Sequence, residues 1–240
     1  MVYNNKRKAV KFMKLDRAKL TYINKFIIVI ATLLGVILSF VFAKQDGYKG
    51  WQYRLLYFTL QSNLWIGVAH FLYLLSPLLK NGEDFKKSLR VCNYIFTVSI
   101  TVTGVVFCAL LAPFSYKEGY NAWSVWSILL HVFVPVLAII DFFIQPKSKK
   151  LTGKHLFYSI LPPLIYFAIT SVFCLAGVDF GRGHAYPYFF MNYYSPVGVF
   201  GFGGQPPFVV GVFYWVILFL AFVLSVGLLY IKIDGKREIK

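Results

Sequence analysis

Charge is scarce in this chain and acidic charge scarcer still: 14% of its 240 residues are charged, and only nine are Asp or Glu. A soluble domain of this length alternates apolar and charged faces, so the shortage excludes that class. Alternating segments of about ten residues are also missing, which excludes a transmembrane β-barrel. The three cysteines, Cys92, Cys108 and Cys174, have neither paired nor metal-ligand spacing, and they read as thiols packed between helices. The chain has no phosphate-cradling glycine loop, no His-Glu-x-x-His and no Gly-x-Ser-x-Gly elbow. Nor does it show the internal repeat on which inverted-repeat transporters are built. No metal and no cofactor are expected.

Apolar residues are abundant, at 58% of the chain, and they fall into six blocks at about 24–43, 55–79, 89–112, 123–144, 155–177 and 207–231. Each is close to the ~20 residues that cross a ~30 Å hydrocarbon core. The expected fold is all-α: a polytopic membrane protein with six transmembrane helices in one domain, 24–231, between basic tails 1–23 and 232–240. The net charge of +16 sets the orientation. Lys6, Arg7, Lys8, Lys11, Lys14, Arg17, Lys19 and Lys25 precede or open the first block. Lys80, Lys86, Lys87 and Arg90 lie between the second and third, and Lys147, Lys149, Lys150 and Lys154 between the fourth and fifth. Lys232, Lys236, Arg237 and Lys240 follow the sixth, leaving only Lys44, Lys49, Arg54, Lys117 and Arg182 for the other side. The positive-inside rule then puts both termini in the cytoplasm of a multi-pass cell-membrane protein. The basic excess meets anionic lipid headgroups; nucleic-acid binding is not expected, because no folded basic surface carries it.

The run Phe26–Phe42 with Val41-Phe-Ala43 resembles a signal peptide, but its apolar core is long for one, and retention is expected. Asn81-Gly82 and Pro146 are expected to end the second and fourth spans, and Pro113 the third. The long outer segment 178–206 is dense in aromatics. It reads either as a cover over an outward-facing cavity or as headgroup-level anchoring.

His131 lies in the middle of the fourth block, where an ionisable group is costly unless it faces protein. The second block opens with Tyr57-Phe-Thr-Leu-Gln-Ser-Asn63. Thr59 sits about 7 Å and His131 about 12 Å in from the outer side at 1.5 Å per residue, so the two meet if their helices are neighbours. Thr59, Ser62, Asn63 and His70 form one helical stripe, and Ser124, Ser127 and His131 another, with Pro135 one turn on. Serines and threonines here also serve as local carbonyl partners. The amides of Gln61 and Asn63 need partners that lipid does not supply. His131 itself reads three ways: a neutral structural donor, a metal or substrate ligand, or a general base. Asp141 lies about 15 Å further along the axis, so it does not orient His131, and pairing near Lys147, Lys149 and Lys150 is expected.

Tyr57-Phe-Thr-Leu-Gln-Ser-Asn-Leu64, Leu129-Leu-His-Val-Phe-Val-Pro-Val-Leu-Ala-Ile-Ile-Asp141 and Tyr186-Pro-Tyr188 together resemble the androgen-induced protein family, in particular its bacterial six-helix relatives. The resemblance runs from the second block through the sixth. It implies a hydrolase: in animal members a membrane threonine and histidine cleave fatty acid esters of hydroxy fatty acids. Those two residues map onto Thr59 and His131. The implied chemistry is acyl transfer from a membrane-lipid ester, with Thr59 as nucleophile and His131 as base, and Ser62 or Cys108 as the alternative nucleophile. Gln61 and Asn63 are the nearest oxyanion candidates, and Asn192 and Tyr193 candidates for the entrance. The competing reading is a small-molecule or lipid transporter with a polar intramembrane site, which requires a polar route inward through His70 and Asp141.

Overall fold

The computed structural model describes residues 2–118 and 121–237, with side chains for 17–115 and 121–237. The side chains of Lys6, Arg7, Lys8, Lys11, Lys14, Lys117 and Lys240 lie outside those described. The described chain is helical: α1 Val2–Val41, α2 Phe58–Leu75, α3 Gly82–Val106, α4 Val125–Ile128, α5 Val134–Ile144, α6 Gly153–Leu175 and α7 Val212–Gly235. Five helical stretches are long and apolar enough to cross a membrane: Arg17–Val41, Gly82–Ser115, Val125–Ile144, Gly153–Leu175 and Val212–Gly235. Their outer faces expose Leu33, Ile37, Ile165, Val172, Leu218 and Leu229, as suits helices bordered by hydrocarbon. The remaining expected span is α2, 18 residues long. It is less apolar than the others because it carries Gln61, Ser62, Asn63 and His70, the last three buried.

Several boundaries move from those expected, each for a local reason. The first helix continues back through the basic segment to Val2. The second ends at Leu75, where Ser76-Pro77-Leu78 turns into a 3-10 helix, so Pro77 rather than Asn81-Gly82 stops it. The fourth stretch, by contrast, stops at Ile144 as expected, with Gln145 (φ −54°, ψ 134°) in the conformation that the residue before Pro146 prefers. The α7 helix starts only at Val212, after Gly211 in extended conformation.

At the centre is α3, which packs on α2, α5, α6 and α7, while α1 packs on α2, α4 and α5. Its buried face is small or hydroxylic, with Thr97, Ser99, Thr101, Thr103 and Gly104, and such residues let helices approach closely. Ile28, Ala31, Ile66, Ile100, Val134 and Ala138 fill the middle of the α1–α2–α3–α5 bundle.

Below that plug lies a buried polar cluster. Lys25, 1% exposed, donates to Asp141 Oδ2 at 2.5 Å, and His70 Nε2 lies 3.4 Å from the same oxygen. Asn24 donates to Asp141 Oδ1 at 3.4 Å, and Asn93 to Gln145 Oε1 at 2.7 Å. Asp141 therefore pairs with Lys25, not with Lys147, Lys149 or Lys150. The cause is that α1 lies against α5 and brings Lys25 inward, so this residue is not part of a solvated tail. Lys147 instead donates to the carbonyls of Asp234 and Arg237, both at 2.9 Å, tying the end of α7 to the segment after α5. Asp234 also accepts from the buried Arg90.

Candidate functional site

Two prolines shape the outer half of the bundle. Five residues with π-type hydrogen bonding, Phe107–Leu111, precede Ala112-Pro113, and five more, Leu129–Phe133, precede Val134-Pro135. In the second turn the Val134 N–H bonds the Leu129 carbonyl, five residues back. The Leu130 carbonyl, its ordinary α-helical partner, is thereby released, and Pro135 has no N–H for the His131 carbonyl. Asn63 fills the first gap: its Nδ2 donates to the Leu130 carbonyl at 2.9 Å and to the Thr59 carbonyl at 2.8 Å. π-Turns of this kind concentrate at functional positions, and His131 sits inside this one.

His131 is 7% exposed and stacked flat on Phe107, ring centroids 3.8 Å apart at 16°. Its Nδ1 lies 2.9 Å from the Ser127 carbonyl. A carbonyl only accepts, so the proton resides on Nδ1, and Nε2 presents a lone pair. That lone pair faces the Thr59 hydroxyl at 3.2 Å. Thr59 and His131, placed at similar depth by residue counting, are thus brought together.

Thr59 is the second residue of α2, following Tyr57, which is extended (φ −97°, ψ 136°) and accepts from Leu60 N–H at 3.1 Å. At this position the Thr59 amide has no partner within the helix. It points instead at the Tyr188 hydroxyl, 3.5 Å away. Tyr188 comes from the outer segment and is wedged edge-on against Tyr57 and flat against Phe190. Burial pushes its phenol up to about 12, so it remains a neutral donor at any physiological pH.

The outer segment resolves the two readings of 178–206 by position. Phe180, Phe189, Phe190 and Met191 are buried against Phe58, Tyr166, Cys174 and Trp215, and so cover the site. Tyr194, Phe200 and Phe202 stay exposed on the far side.

Two cavities meet at Thr59, with Leu111 and Tyr188 also common to both walls. The outer one is the more polar of the two, with Tyr48, Arg54, Tyr57, His131 and Arg182 in its wall. Arg54 is buried there, ion-paired with Asp46, its guanidinium between the rings of Tyr48 at 4.2 Å and Trp126 at 4.1 Å. The inner one is almost wholly apolar and runs between α3, α6 and α7 past Val106, Phe219, Leu164, Val102 and Val223. It leaves about 90 Å³ open to the centre of a water-sized sphere, several times the ~10–15 Å³ that one water needs.

The other expected site residues fall elsewhere. Gln61 donates to the Leu55 carbonyl at 3.0 Å and lines a separate groove with Trp65 and Phe173, because it lies on the opposite side of α2 from Ser62 and Asn63. Ser62 is engaged with Thr103 Oγ1 at 2.8 Å and the Thr59 carbonyl at 3.1 Å and lines neither of these two cavities. Asn63 touches the site but spends both its donor bonds on carbonyls. Tyr193 donates to Ser171 at 2.7 Å, and Asn192 Oδ1 accepts from Tyr194 N–H at 3.0 Å, so neither lines either cavity. Cys108 is exposed, Cys92 half-buried, and only Cys174 is a buried packing thiol. No cluster of metal-ligating side chains occurs among the described residues. Sequence reasoning missed Arg54 and Tyr188 as site residues. The Tyr186-Pro-Tyr188 pattern flagged the second without giving it a role. The chain matches no protein-family model, no curated protein and no solved structure.

Proposed function

We propose that the protein is a membrane hydrolase of lipid esters, a relative of the androgen-induced protein family, with Thr59 as nucleophile and His131 as general base. It has six spans, α2 included, and both termini in the cytoplasm, so the Thr59–His131 pair faces the outer leaflet of the cell membrane. The observation that carries this reading is the His131 Nε2–Thr59 Oγ1 contact at 3.2 Å with the opposite ring nitrogen held by the Ser127 carbonyl. That is a base with its lone pair on the hydroxyl and its tautomer fixed, the requirement for activating a nucleophile that does not ionise unaided.

His131 Nε2 takes the Thr59 proton as Oγ1 attacks the ester carbonyl. It returns that proton to the departing alkoxide, leaving acyl-threonine and a free alcohol. Water then enters from the outer cavity, gives a proton to Nε2 and attacks the acyl carbon, and Thr59 is reprotonated as the acid leaves. The developing oxyanion lies between the Thr59 amide and the Tyr188 hydroxyl, which replace Gln61 and Asn63 in that role. A transporter needs a polar path from this site to the Lys25–Asp141 cluster, and the plug of Ile28, Ile66, Ile100, Val134 and Ala138, at most 5% exposed, stands across it.

The test is hydrolysis by purified protein of a chromogenic acyl ester and of a fatty acid ester of a hydroxy fatty acid. Wild type is compared with Thr59→Ala, His131→Ala and Tyr188→Phe, each checked for folding by size-exclusion chromatography. Folded Thr59→Ala and His131→Ala lose activity, and Tyr188→Phe loses roughly 10²–10³ in kcat. Activity indifferent to Thr59 and His131 refutes the assignment.

A further inference from the structure

The two cavities that meet at Thr59 are chemically unlike, and His131 lines only one of them. The group that receives the proton from His131 Nε2 is the leaving alcohol, so the alcohol half of an ester lies in the outer cavity. The carbonyl is shared at Thr59, which leaves the acyl chain only the inner cavity. On the inner side the polar residues are Thr59, Thr103, Tyr166 and Tyr188, and the remaining lining residues are apolar.

The inner cavity has a floor. Val102 and Val223 line its deep end, and both belong to one packed cluster with Tyr94, Val98, Val226 and Tyr230. Val98 is 0% and Val223 1% exposed, so the chain has no room to continue past them. Pro163 on α6 forms part of the wall, and with Pro162 it interrupts that helix's hydrogen bonding beside the cavity. From Val216 to Val223, seven steps along α7, the slot is about 10 Å deep at 1.5 Å per residue. An extended alkyl chain advances about 1.25 Å per carbon, from ~1.5 Å C–C bonds at ~111°.

We propose that this slot is a ruler for the acyl half of the substrate, with Val102 and Val223 as its floor and a preferred length of about eight carbons. The proposal rests on the hydrolase reading for its chemistry and on the cavity alone for its length. Each methylene added up to the floor raises kcat/KM about fourfold, the usual worth of one buried CH₂, and further methylenes lower it.

The experiment has two arms. In the first, wild type, Val223→Phe and Val223→Ala hydrolyse p-nitrophenyl esters from four to sixteen carbons. The wild-type optimum near eight carbons moves about three carbons shorter in Val223→Phe and one or two longer in Val223→Ala. In the second, octanoic acid bearing a terminal diazirine is photolysed with the protein, with and without excess octanoic acid, and adducts are mapped by mass spectrometry. Competable adducts fall on the segments holding Val102, Pro163 and Val223, and Val223→Phe removes them. Active variants whose optimum stays fixed, with all chain lengths altered alike, overturn the ruler and leave the hydrolase standing. Absence of hydrolysis from wild type, with competable floor adducts, sinks the hydrolase and keeps the slot. Adducts confined to the lipid-facing surfaces, not competed by octanoic acid, overturn the slot itself. Should Val223→Phe fail to fold, Val223→Ala and the wild-type adducts decide.

Discussion

Asn63 separates a residue that builds the site from one that does chemistry in it. Its Nδ2 joins the Thr59 carbonyl to the Leu130 carbonyl that the π-turn releases, at 2.8 and 2.9 Å. Asn63→Leu keeps the branching and the number of heavy atoms and removes both bonds. The Thr59 carbonyl retains Ser62 Oγ at 3.1 Å, whereas the Leu130 carbonyl is left without this buried donor. Stranding one such group costs about 1–3 kcal/mol. At about 2–4 °C per kcal/mol for a chain of this size, the melting temperature falls by about 2–12 °C. The π-turn also relaxes, and a shift of about 1 Å between Nε2 and Oγ1 costs roughly 10² in rate. Ser62→Ala is the control. It loses the bond to Thr103, which keeps its own bond to the Ser99 carbonyl at 3.2 Å, and the bond to the Thr59 carbonyl, which keeps Asn63 Nδ2 at 2.8 Å. No partner is stranded, so the cost is about 1 kcal/mol. The assay is thermal size-exclusion chromatography together with ester hydrolysis on the same preparations. An Asn63→Leu protein as stable as wild type but 10²–10³ slower would make Asn63 an oxyanion donor and refute its structural role.

Three further outcomes follow from other parts of the molecule. Lys25→Met or Asp141→Leu alone costs about 3–5 kcal/mol, since each strands a buried charge, while the double variant recovers most of the loss in the same thermal assay; two additive losses would contradict the pairing. Gly104→Ala places a methyl 3.0 Å from the His131 carbonyl and 3.1 Å from Pro135 Cβ, so the π-turn moves and hydrolysis falls about tenfold or more with expression intact; unchanged activity would show that α3 does not set the position of His131. The Lys49 ammonium and then the Gly181 and Gly183 amides hold the Asp179 carboxyl below its ordinary value, and Lys49 is correspondingly raised. The pair is therefore complete from about pH 4 to pH 10, and its contribution goes as pH falls through the depressed Asp179 value or rises through the raised Lys49 value. Limited proteolysis of the outer segment should accelerate below about pH 4 in wild type. In Asp179→Asn the same cleavage should be independent of pH there, and identical acid profiles would refute the contact.

Five of the six expected spans were legible, because a chain so poor in charge has few other ways to bury its apolar runs; α2 escapes the length-and-apolarity criterion through Gln61, Ser62, Asn63 and His70. The pair Thr59–His131 was legible from depth, because both α2 and the α4–α5 stretch enter from the same end and residue counting works along parallel helices. Whether two side chains share a face was legible only over short range. Thr59, Ser62, Asn63 and His70 do line one side of α2, but Gln61, inside the same motif, points away. What failed concerned partners from distant segments. Lys25 looked like one more tail lysine until α1 was laid against α5, and Tyr188 acquires a role only once the outer segment folds over Thr59. Nothing in the sequence marks the five-residue π-turns that lie one residue before Pro113 and Pro135, because backbone hydrogen bonding alone defines them.

The inner cluster and the outer site are coupled through register rather than through a polar path. Thr59 and His70 are eleven residues apart on α2, while His131 and Asp141 are ten apart on the neighbouring stretch. The outer members meet at 3.2 Å and the inner members at 3.4 Å. Two parallel helices touching through polar groups at both ends of a span of about 15 Å cannot slide by a residue without breaking one contact or the other. Buried polar groups are best attested in setting such registers, and Lys25, by neutralising Asp141, makes the inner pin tolerable at depth. The apolar plug between the pins keeps water from joining them. On this argument, loss of the inner pair should loosen the alignment of Thr59 with His131 although neither residue touches it, and the recovered stability of the Lys25→Met/Asp141→Leu protein should come with only partial recovery of rate.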